Sequence, residues 1–309
     1  MAGRIGVIGS NMVDLVTYVT RMPERGETIE APSFDMGYGG KGANQAVAAA
    51  RLGSDVMMLT RVGDDIFGQG VLENLREQGI DVTHSAKVPG MANGVAPIFV
   101  EPSGENLIVI VKGANATLSP ADIDAAADDL KRCDLILLQL EIPLDAVYHA
   151  VAFAAENGIT SILNPAPAAP DLDVSRLKGL GWFCPNETEL ALLTGLPTET
   201  EDDITAAARA LIARGIENVV VTLGARGARL VTGDSVTRIA PVPVTPVDTT
   251  GAGDAFIGAF AHFHAGGAAP QDALAQAARY AALSITRRGT QKSYATPDEF
   301  AAFAASHPG

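Results

Sequence analysis

The stretch VDTTGAGDAFIGAFAHF, residues 247–263, places glycine and charge at the mouth of an apolar helical run. With the segment PVPVTPV before it, the pattern predicts a strand, a turn and a buried helix. The first N–H groups of a helix lack internal partners and lie at the positive end of its dipole. The amides of Gly251, Ala252 and Gly253 are therefore expected to form an anion site.

Asp254 follows these amides directly, where its charge would repel a bound anion. Because such a carboxylate is costly unless it is used, we expect it to take the proton of a hydroxyl group. The hydroxyl oxygen would then attack a phosphoryl group while the amides hold the developing charge. The alternative is that Asp254 only caps the helix, since aspartate is a common N-cap residue.

Composition narrows the class of protein. The chain has 309 residues, of which 47% are hydrophobic, enough for one main domain with a sizeable core. Its net charge of −14 argues against a nucleic-acid or anionic-membrane surface. There is no signal-peptide pattern and no apolar run long enough to span a membrane. The two cysteines are far apart, so we expect no disulfide framework and a cytoplasmic location.

Short β-branched runs alternate with alanine-rich segments along most of the chain, which predicts a parallel sheet covered by helices on both faces. Two segments, 16–38 and 90–112, instead alternate with strand period around Pro and Gly turns. We expect them to form one small antiparallel β-sheet lid on an α/β catalytic body made of residues 1–15, 39–89 and 113–309. The alternative is a pair of ordinary surface hairpins.

A second glycine cluster, GYGGKGANQAVAAARLG, opens another helix. Gly37, Gly39 and Gly42 match the dinucleotide fingerprint G-x-G-x-x-G, so a dehydrogenase is a rival hypothesis. The fingerprint needs a buried strand directly before it, and the preceding APSFDM is a poor candidate. A close approach of backbone to a small hydroxyl-rich ligand fits better, with Lys41 and Asn44 supplying polar groups.

Other common catalytic patterns are missing from the sequence. There is no G-x-x-x-x-G-K-[ST] loop and no G-x-S-x-G elbow, which argues against a P-loop enzyme and against the usual serine hydrolase. The five histidines show no zinc-binding spacing.

The two glycine clusters, in this order and separation, resemble the two signatures of the ribokinase (PfkB-type) carbohydrate kinases. VGDDIFG, QLE, NPAPA, PNETE and TLGARG extend the resemblance along nearly the whole chain. The resemblance implies a three-layer α/β/α fold with a β lid, a sugar under the lid and ATP on the shallow side of the sheet. It also implies Mg²⁺ and a monovalent cation, most simply K⁺, as cofactors.

The resemblance carries roles onto matching residues of this chain. Asp254 resembles the catalytic base, and Gly251, Ala252 and Gly253 resemble the anion hole. The positions that resemble sugar contacts are Met12, Asp14, Gly40, Lys41, Asn44, Glu141 and Asp254. The positions that resemble the nucleotide and magnesium site are Asn186, Glu189, Thr222, Gly224, Gly227 and Gly253. The positions that resemble the monovalent-cation loop are Asp248, Thr250, Ser284, Arg287, Gly289 and Ser293. For Glu141 and Asn186 the alternative is a polar group that caps a strand end.

Met12 departs from the family pattern, in which asparagine at this place hydrogen-bonds sugar hydroxyls. A thioether packs on carbon and is a poor hydrogen-bond partner, which favours a sugar with one hydroxyl fewer, 2-deoxyribose. GSNMVDL, VAPIFV and VYHA also resemble the deoxysugar branch of the family. Ribose stays the alternative, because an apolar contact discriminates weakly and Asn11 could turn inward to replace the missing contact.

Two further hypotheses concern activity and assembly. A sugar-binding relative without turnover would be expected to lack Asp254, which is present. A lid with a free sheet edge invites a second copy of the chain, so we expect a homodimer through the lid.

Overall fold

A computed structural model describes residues 3–103 and 105–307 of the chain. Its strands are β1 Arg4–Ile8, β2 Met12–Tyr18, β3 Ser33–Gly39, β4 Asp55–Leu59, β5 Arg61–Gly63, β6 Ala86–Val88, β7 Val95–Val100, β8 Asn106–Ile108, β9 Leu135–Leu138, β10 Thr160–Leu163, β11 Trp182–Phe183, β12 Asn218–Thr222, β13 Ala228–Val231 and β14 Val236–Ile239. Its α-helices are α1 Lys41–Arg51, α2 Ile66–Glu77, α3 Pro120–Ala125, α4 Ala127–Leu130, α5 Leu144–Glu156, α6 Glu187–Thr194, α7 Glu201–Ile212, α8 Ala252–Ala265, α9 Pro270–Ser284 and α10 Pro297–Ser306. Short 3₁₀ turns lie at Gly113–Thr117, Val174–Leu177, Gly224–Arg226 and Gln291–Ser293.

The main sheet has eight strands in the order β14-β13-β12-β11-β10-β9-β1-β4. The six strands from β12 to β4 are parallel, as the alternating pattern predicts. The edge pair β13 and β14 is antiparallel, which the sequence prediction missed. Only a few residues separate β12 from β13 and β13 from β14, and connections this short can join only antiparallel neighbours.

Helices cover both faces of this sheet. Strand β9 shows the division: Leu135 and Leu137 point into one hydrophobic cluster, whereas Ile136 and Leu138 point into the other. The first cluster lies against α1, α2, α8, α9 and α10, and the second against α3, α5 and α7. Side chains alternate between the faces of a strand, so a strand that is apolar throughout must be buried on both sides. The predicted three-layer α/β/α body is confirmed.

The second sheet has four strands in the order β3-β2-β7-β8 and draws on both predicted lid segments. The prediction of a purely antiparallel sheet is wrong in one pair. β2–β3 and β7–β8 are antiparallel, but the central strands β2 and β7 run parallel. These two strands are joined through α1, β4 and α2 of the body, and a long crossover permits parallel pairing. β2 also begins at Met12, inside the segment assigned to the body.

Two local predictions change. The segment PVPVTPV, residues 241–247, is not a strand in the structure. Its three prolines lack the N–H groups that a sheet ladder requires. Gly37 and Gly39 lie within β3, which is mostly exposed and pairs antiparallel with β2. The glycines therefore do not follow a buried strand of the main sheet, and the dinucleotide fingerprint loses its structural context.

The helices α1 and α8 approach each other closely in their N-terminal halves. A side chain at Gly258 would overlap the carbonyl oxygen of Gln45 and the methyl group of Ala48, so glycine is what permits this contact. The approach brings the starts of the two predicted signature helices together. Within the residues that the structure describes, no helix combines the length and apolarity that a membrane crossing would need.

Candidate active site

The carboxylate of Asp254 lies in the first turn of α8, facing the first turns of α1. Its Oδ2 accepts a hydrogen bond from Asn44 Nδ2 at 2.9 Å, and its Oδ1 accepts one from Gln45 Nε2 at 3.0 Å. Only 7% of Asp254 and 6% of Asn44 is exposed. The two side chains predicted from separate motifs therefore meet, and a buried carboxylate is oriented by amide donors on both oxygens.

Backbone amides lie beside this carboxylate. Gly251 has a φ of 74° as it leads into α8, and a side chain there would overlap Thr290. Among the described residues, the N–H groups of Gly251 and Gly253 donate to no protein acceptor. The N–H of Ala252 donates to the Thr249 carbonyl at 3.2 Å, so this third amide of the predicted anion hole is engaged internally. The structure thus offers two free donors where the sequence predicts three.

The predicted sugar-binding segments are in direct contact. Gly40 has a φ of 85°, and a Cβ there would lie 2.7 Å from the backbone between Asn11 and Met12. The carboxylate of Asp14 lies over Gly39, where a side chain would overlap both of its oxygens. Glycine at these two positions therefore lets the start of α1 pack against the start of β2.

Glu141 connects the segment between β1 and β2 with the start of α1. Its Oε2 accepts hydrogen bonds from Ser10 Oγ at 2.5 Å and from the Lys41 backbone N–H at 2.9 Å. Ser10 Oγ accepts in turn from the Gly42 N–H at 3.2 Å. Glu141 therefore caps the start of helix α1, whereas the alternative raised from sequence was a cap on the end of a strand. Only one carboxylate oxygen is used, so the other is left for a ligand.

Acidic groups surround one lysine. Burial acts to lower the pKa of Lys41, but the charges of Asp254, Glu141 and Glu189 outweigh it and the net pKa is raised. Burial, then the charges of Glu141 and Asp254, raise the pKa of the Asp14 carboxyl to about 6. Desolvation and like charge both disfavour an ionised carboxylate. The shifts show that residues from β2, α1, α6 and α8 share one electrostatic environment.

The predicted nucleotide residues lie at the ends of neighbouring strands. Asn186 and Glu189 form a capping box on α6: Glu189 N donates to Asn186 Oδ1 at 2.8 Å, and Asn186 N to Glu189 Oε2 at 2.9 Å. Burial raises the pKa of Glu189, and Asp254 adds to the effect. Thr222 ends β12 and pairs with Asn186, while Gly224 and Gly227 turn at φ 55° and 89°. Of these five residues, Glu189 is the one linked to the carboxylate site, because its pKa responds to the charges of Lys41 and Asp254.

Asp248 joins the two loops that were predicted to hold a monovalent cation. Its Oδ1 accepts from the Thr250 N–H and its Oδ2 from the Gly289 N–H, both at 2.9 Å. Burial acts to raise the pKa of Asp248, but these backbone hydrogen bonds outweigh it and the pKa is lowered. The side chains of Ser284 and Ser293 are buried and donate to the carbonyls of Ala281 and Thr290, respectively.

Arg287, the remaining predicted residue of the cation loop, directs its side chain to Glu299 at 3.0 Å. Any contribution to a cation would therefore come from its backbone. No group of three or more His, Cys, Asp or Glu side chains suited to a metal ion occurs in residues 3–103 and 105–307.

Met12 is buried, with 2% exposed, yet it belongs to neither hydrophobic cluster of the body. Its neighbour Asn11 is committed elsewhere: Asn11 Nδ2 donates at 2.8 Å to both Thr60 Oγ1 and the Arg61 carbonyl. Asn115 brackets the Asn11 backbone, accepting from its N–H and donating to its carbonyl. In this arrangement Asn11 does not turn inward to replace the missing amide at position 12.

Three polar residues of the site were missed from sequence. Gln45 bonds to Asp254, Ser10 bonds to Glu141, and Gln291 Nε2 donates to Asn44 Oδ1 at 3.1 Å. Gln45 carried a usable signal, because a glutamine among the alanines of a buried helix needs partners. Gln291 lies in a loop remote in sequence, so no local pattern could have connected it to Asn44.

Comparison with known proteins gives a consistent result. The model of the pfkB family carbohydrate kinase matches residues 3–297. Deoxyribokinase from Salmonella typhimurium is 53% identical over 296 residues, covering 96% of this chain and 97% of the relative. Ribokinase from Mus musculus is 40% identical over 302 residues, covering 95% and 92%.

Solved structures agree. The Arabidopsis thaliana ribokinase complexed with ribose and ATP superposes with a TM-score of 0.93 at 31% identity, covering 98% of this chain and 99% of that one. The fold expected from the two glycine signatures is therefore confirmed over nearly the full length. The chain belongs to the pfkB family of carbohydrate kinases.

Proposed function

We propose that this protein is an ATP-dependent kinase that phosphorylates the 5-hydroxyl group of 2-deoxy-D-ribose. As a carbohydrate kinase, it transfers a phosphoryl group to a sugar hydroxyl. The observation that carries the proposal is the buried Asp254 carboxylate beside the free N–H groups of Gly251 and Gly253. The identity of 53% with a deoxyribokinase supports the sugar, and the identity of 40% with a ribokinase makes D-ribose the alternative.

Asp254 is the general base of the proposed reaction. The sugar O–H bond breaks and its proton passes to the Asp254 carboxylate. The sugar oxygen forms a bond to the γ-phosphorus as the bond from that phosphorus to the β,γ-bridging oxygen breaks, and ADP leaves. The amides of Gly251 and Gly253, at the positive end of α8, stabilise the charge on the transferred group. Holding the reactants in place can contribute about 7–11 kcal/mol to lowering the barrier.

Lys41 fits the same reaction. Its amine lies in the field of three carboxylates, which keeps it protonated. A protonated lysine can balance the charge of phosphate oxygens that would otherwise face Asp254, Glu141 and Glu189. We assign to Asn186, Thr222, Gly224 and Gly227 the binding of the nucleotide. Asn186 pairs with Thr222 and bonds to Glu189, whose pKa responds to Lys41 and Asp254, and the turn with Gly224 and Gly227 directly follows Thr222.

Two cations complete the proposal. Glu189 suits Mg²⁺, because one of its oxygens is held by the Asn186 N–H and the other is not, and hard cations prefer oxygen ligands. The ion would supply charge neutralisation on the nucleotide phosphates. Asp248 suits a monovalent cation such as K⁺, because its carboxylate already ties residues 248–250 to the loop around Gly289. Thr250, Ser284, Arg287 and Ser293 would contribute through their backbone.

The four-stranded sheet acts as the lid over the sugar. β2 carries Met12 and Asp14 into the site, and Gly39 at the end of β3 lies beneath the Asp14 carboxylate. The residues assigned to the lid are 16–38 and 90–112, with the rest of the chain as the catalytic body. Excluding water matters for this reaction, because water would compete with the sugar as phosphoryl acceptor.

Met12 supports a 2-deoxy sugar. It is buried outside the hydrophobic clusters, and the amide of Asn11 is used by Thr60 and Arg61. A thioether offers no strong hydrogen bond to an added hydroxyl, so the carbon of a deoxy position is the better partner.

The Asp254→Asn variant should bind 2-deoxyribose but lose phosphorylation, because the amide keeps the shape and cannot accept the proton. We expect kcat to fall by about 10²–10⁴-fold or more, measured by ADP release, with sugar binding followed by calorimetry. The matched control is Asp272→Asn, an exposed aspartate in the first turn of α9. Turnover close to that of the control would refute the role of Asp254.

The Met12→Asn variant should shift preference toward ribose, because the new amide can hydrogen-bond the extra hydroxyl. The ratio of kcat/KM for ribose to that for 2-deoxyribose should rise, by up to about 10²-fold. Met12→Leu, which keeps an apolar contact, serves as the control and should leave this ratio nearly unchanged. An unchanged ratio in Met12→Asn would show that position 12 does not set the sugar.

Sugar affinity should fall as the pH is lowered through about 6, the pKa of Asp14 in the protein without ligand. The ionised carboxylate accepts hydrogen bonds from sugar hydroxyls more strongly than the protonated group does, and the ionised fraction falls about tenfold per pH unit below the pKa. Calorimetric titration with 2-deoxyribose between pH 5 and pH 8 would measure this. Asp14→Asn should bind more weakly, and its affinity should vary less over this range. Equal pH dependence in both proteins would exclude Asp14 as the source.

The lid should also join two copies of the chain. Phe34 and Met36 on β3, with Leu107 and Ile108 on β8, are at least 44% exposed and lie on the two edge strands of the sheet. Such apolar edges are commonly covered by a partner, and a second copy supplies a self-complementary one. Sedimentation at micromolar concentration should give a dimer, and Phe34→Glu should give monomers. A monomeric wild type would contradict this assignment.

A further inference from the structure

We infer that Gln45 is a positioning residue for Asp254: it anchors Oδ1, so that Oδ2 is the oxygen that receives the sugar proton. The inference rests on the proposed function of Asp254 as the base. A free carboxylate has two equivalent oxygens, and either can accept a proton. The contacts around Asp254 remove that equivalence.

The side-chain amide of Gln45 is fully engaged. Its Nε2 donates to Asp254 Oδ1 at 3.0 Å and to Asn164 Oδ1 at 3.2 Å. Its Oε1 accepts from Gln139 Nε2 at 2.7 Å. Because a carboxylate can only accept, the nitrogen of Gln45 must face Asp254, and the donor Gln139 fixes the opposite side. Both donors and the acceptor oxygen of this amide thus have partners.

Gln45 is too deeply buried to touch a substrate. It has no exposed surface, and neither has Gln139 behind it. Asn44, which bonds the other oxygen of Asp254, is 6% exposed and carries a second amide hydrogen with no acceptor among the described residues. Oδ1 therefore faces the protein interior, whereas Oδ2 lies on the side that a sugar can reach.

The support for Gln45 extends to the ends of two central strands. Gln139 follows β9, and its Oε1 lies against Gly9, which follows β1; a side chain at Gly9 would overlap it. Asn164 follows β10, and its Nδ2 donates to the Cys184 carbonyl at 2.9 Å, which sets the direction of its own amide. Rigid strands thus determine where the Gln45 nitrogen points, and positions of this kind hold reacting groups more precisely than loops do.

The test removes the donor while keeping the length of the side chain. Gln45→Met should lower kcat with 2-deoxyribose by about 10- to 100-fold, because a small misplacement of a reacting group has effects of this size. The KM for the sugar should change by no more than about threefold, since Gln45 does not contact it. Gln271→Met, an exposed glutamine on α9, is the matched control. Urea unfolding establishes that each variant is folded.

A double-mutant experiment distinguishes a positioning role of Gln45 from a general loss of structure in the active site. In an Asp254→Asn background the base is already absent, so adding Gln45→Met should leave the residual rate unchanged. Gln139→Met should lower kcat in the same direction, and it carries the test if Gln45→Met does not fold. Near wild-type kcat in a folded Gln45→Met protein, an equal loss in both backgrounds, or a rise in KM in place of the fall in kcat would each overturn the inference. A wild type without sugar turnover would overturn the proposed function and the inference together.

Discussion

The contact between the N-terminal halves of α1 and α8 is the constraint on which the site depends. Gly258 lets the two helices approach until a Cβ at this position would overlap the Gln45 carbonyl oxygen. This approach sets Asn44 and Gln45 beside Asp254, one bonded to each carboxylate oxygen. Both helices begin close to Asp254, so the positive ends of their dipoles converge there. The first N–H groups of α1 bond to Ser10, Gly40 and Glu141, whereas at the start of α8 the N–H groups of Gly251 and Gly253 have no acceptor among the described residues. A buried carboxylate and a bound anion would each be unfavourable in an apolar interior, and this arrangement makes room for both.

The charged side chains of the site influence one another. Asp14, Glu141, Glu189 and Asp254 come from four parts of the chain, and Lys41 is the cation whose pKa responds to three of them. Glu141 Oε2 accepts hydrogen bonds from Ser10 and from the start of α1. Burial, then the charges of Glu141 and Asp254, raise the pKa of Asp14. Burial also raises the pKa of Glu189, although one of its oxygens accepts from the Asn186 N–H, so desolvation is the main cause of both shifts.

Much of the fold and part of the site could be predicted from sequence. The alternation of apolar strands with alanine-rich helices predicted the three layers. Strands β1, β4 and β9 are apolar at nearly every position, and such strands must be covered by helices on both faces. Asp254 and the glycines before it could be identified because a carboxylate beside an expected anion site is unfavourable unless it has a function. The alternation of strands and helices does not reveal the antiparallel edge of β13 and β14. The signal for it is the few residues that join β12 to β13 and β13 to β14, which leave no room for a helical crossover.

The rest of the site depends on contacts between distant segments. Asn44 and Gln291 are 247 residues apart, and no local periodicity reports such a pairing. The parallel pairing of β2 with β7 likewise depends on how the intervening segment of the body brings these two strands together, and neither strand's sequence reveals it. Glu141 showed the limit of assigning one role to one residue, because the same carboxylate that a ligand could contact also holds the start of α1.

The position of β2 has a consequence for how such kinases can diversify. This strand is central in the lid sheet, between β3 and β7, and its first residues are Met12, Val13 and Asp14. Backbone hydrogen bonds therefore connect the residues at the start of β2 with both edge strands of the sheet. Grafting the four-stranded sheet from a relative would transfer Met12 and Asp14, the residues proposed to contact the sugar, along with its edge strands, so a change in one would bring a change in the other.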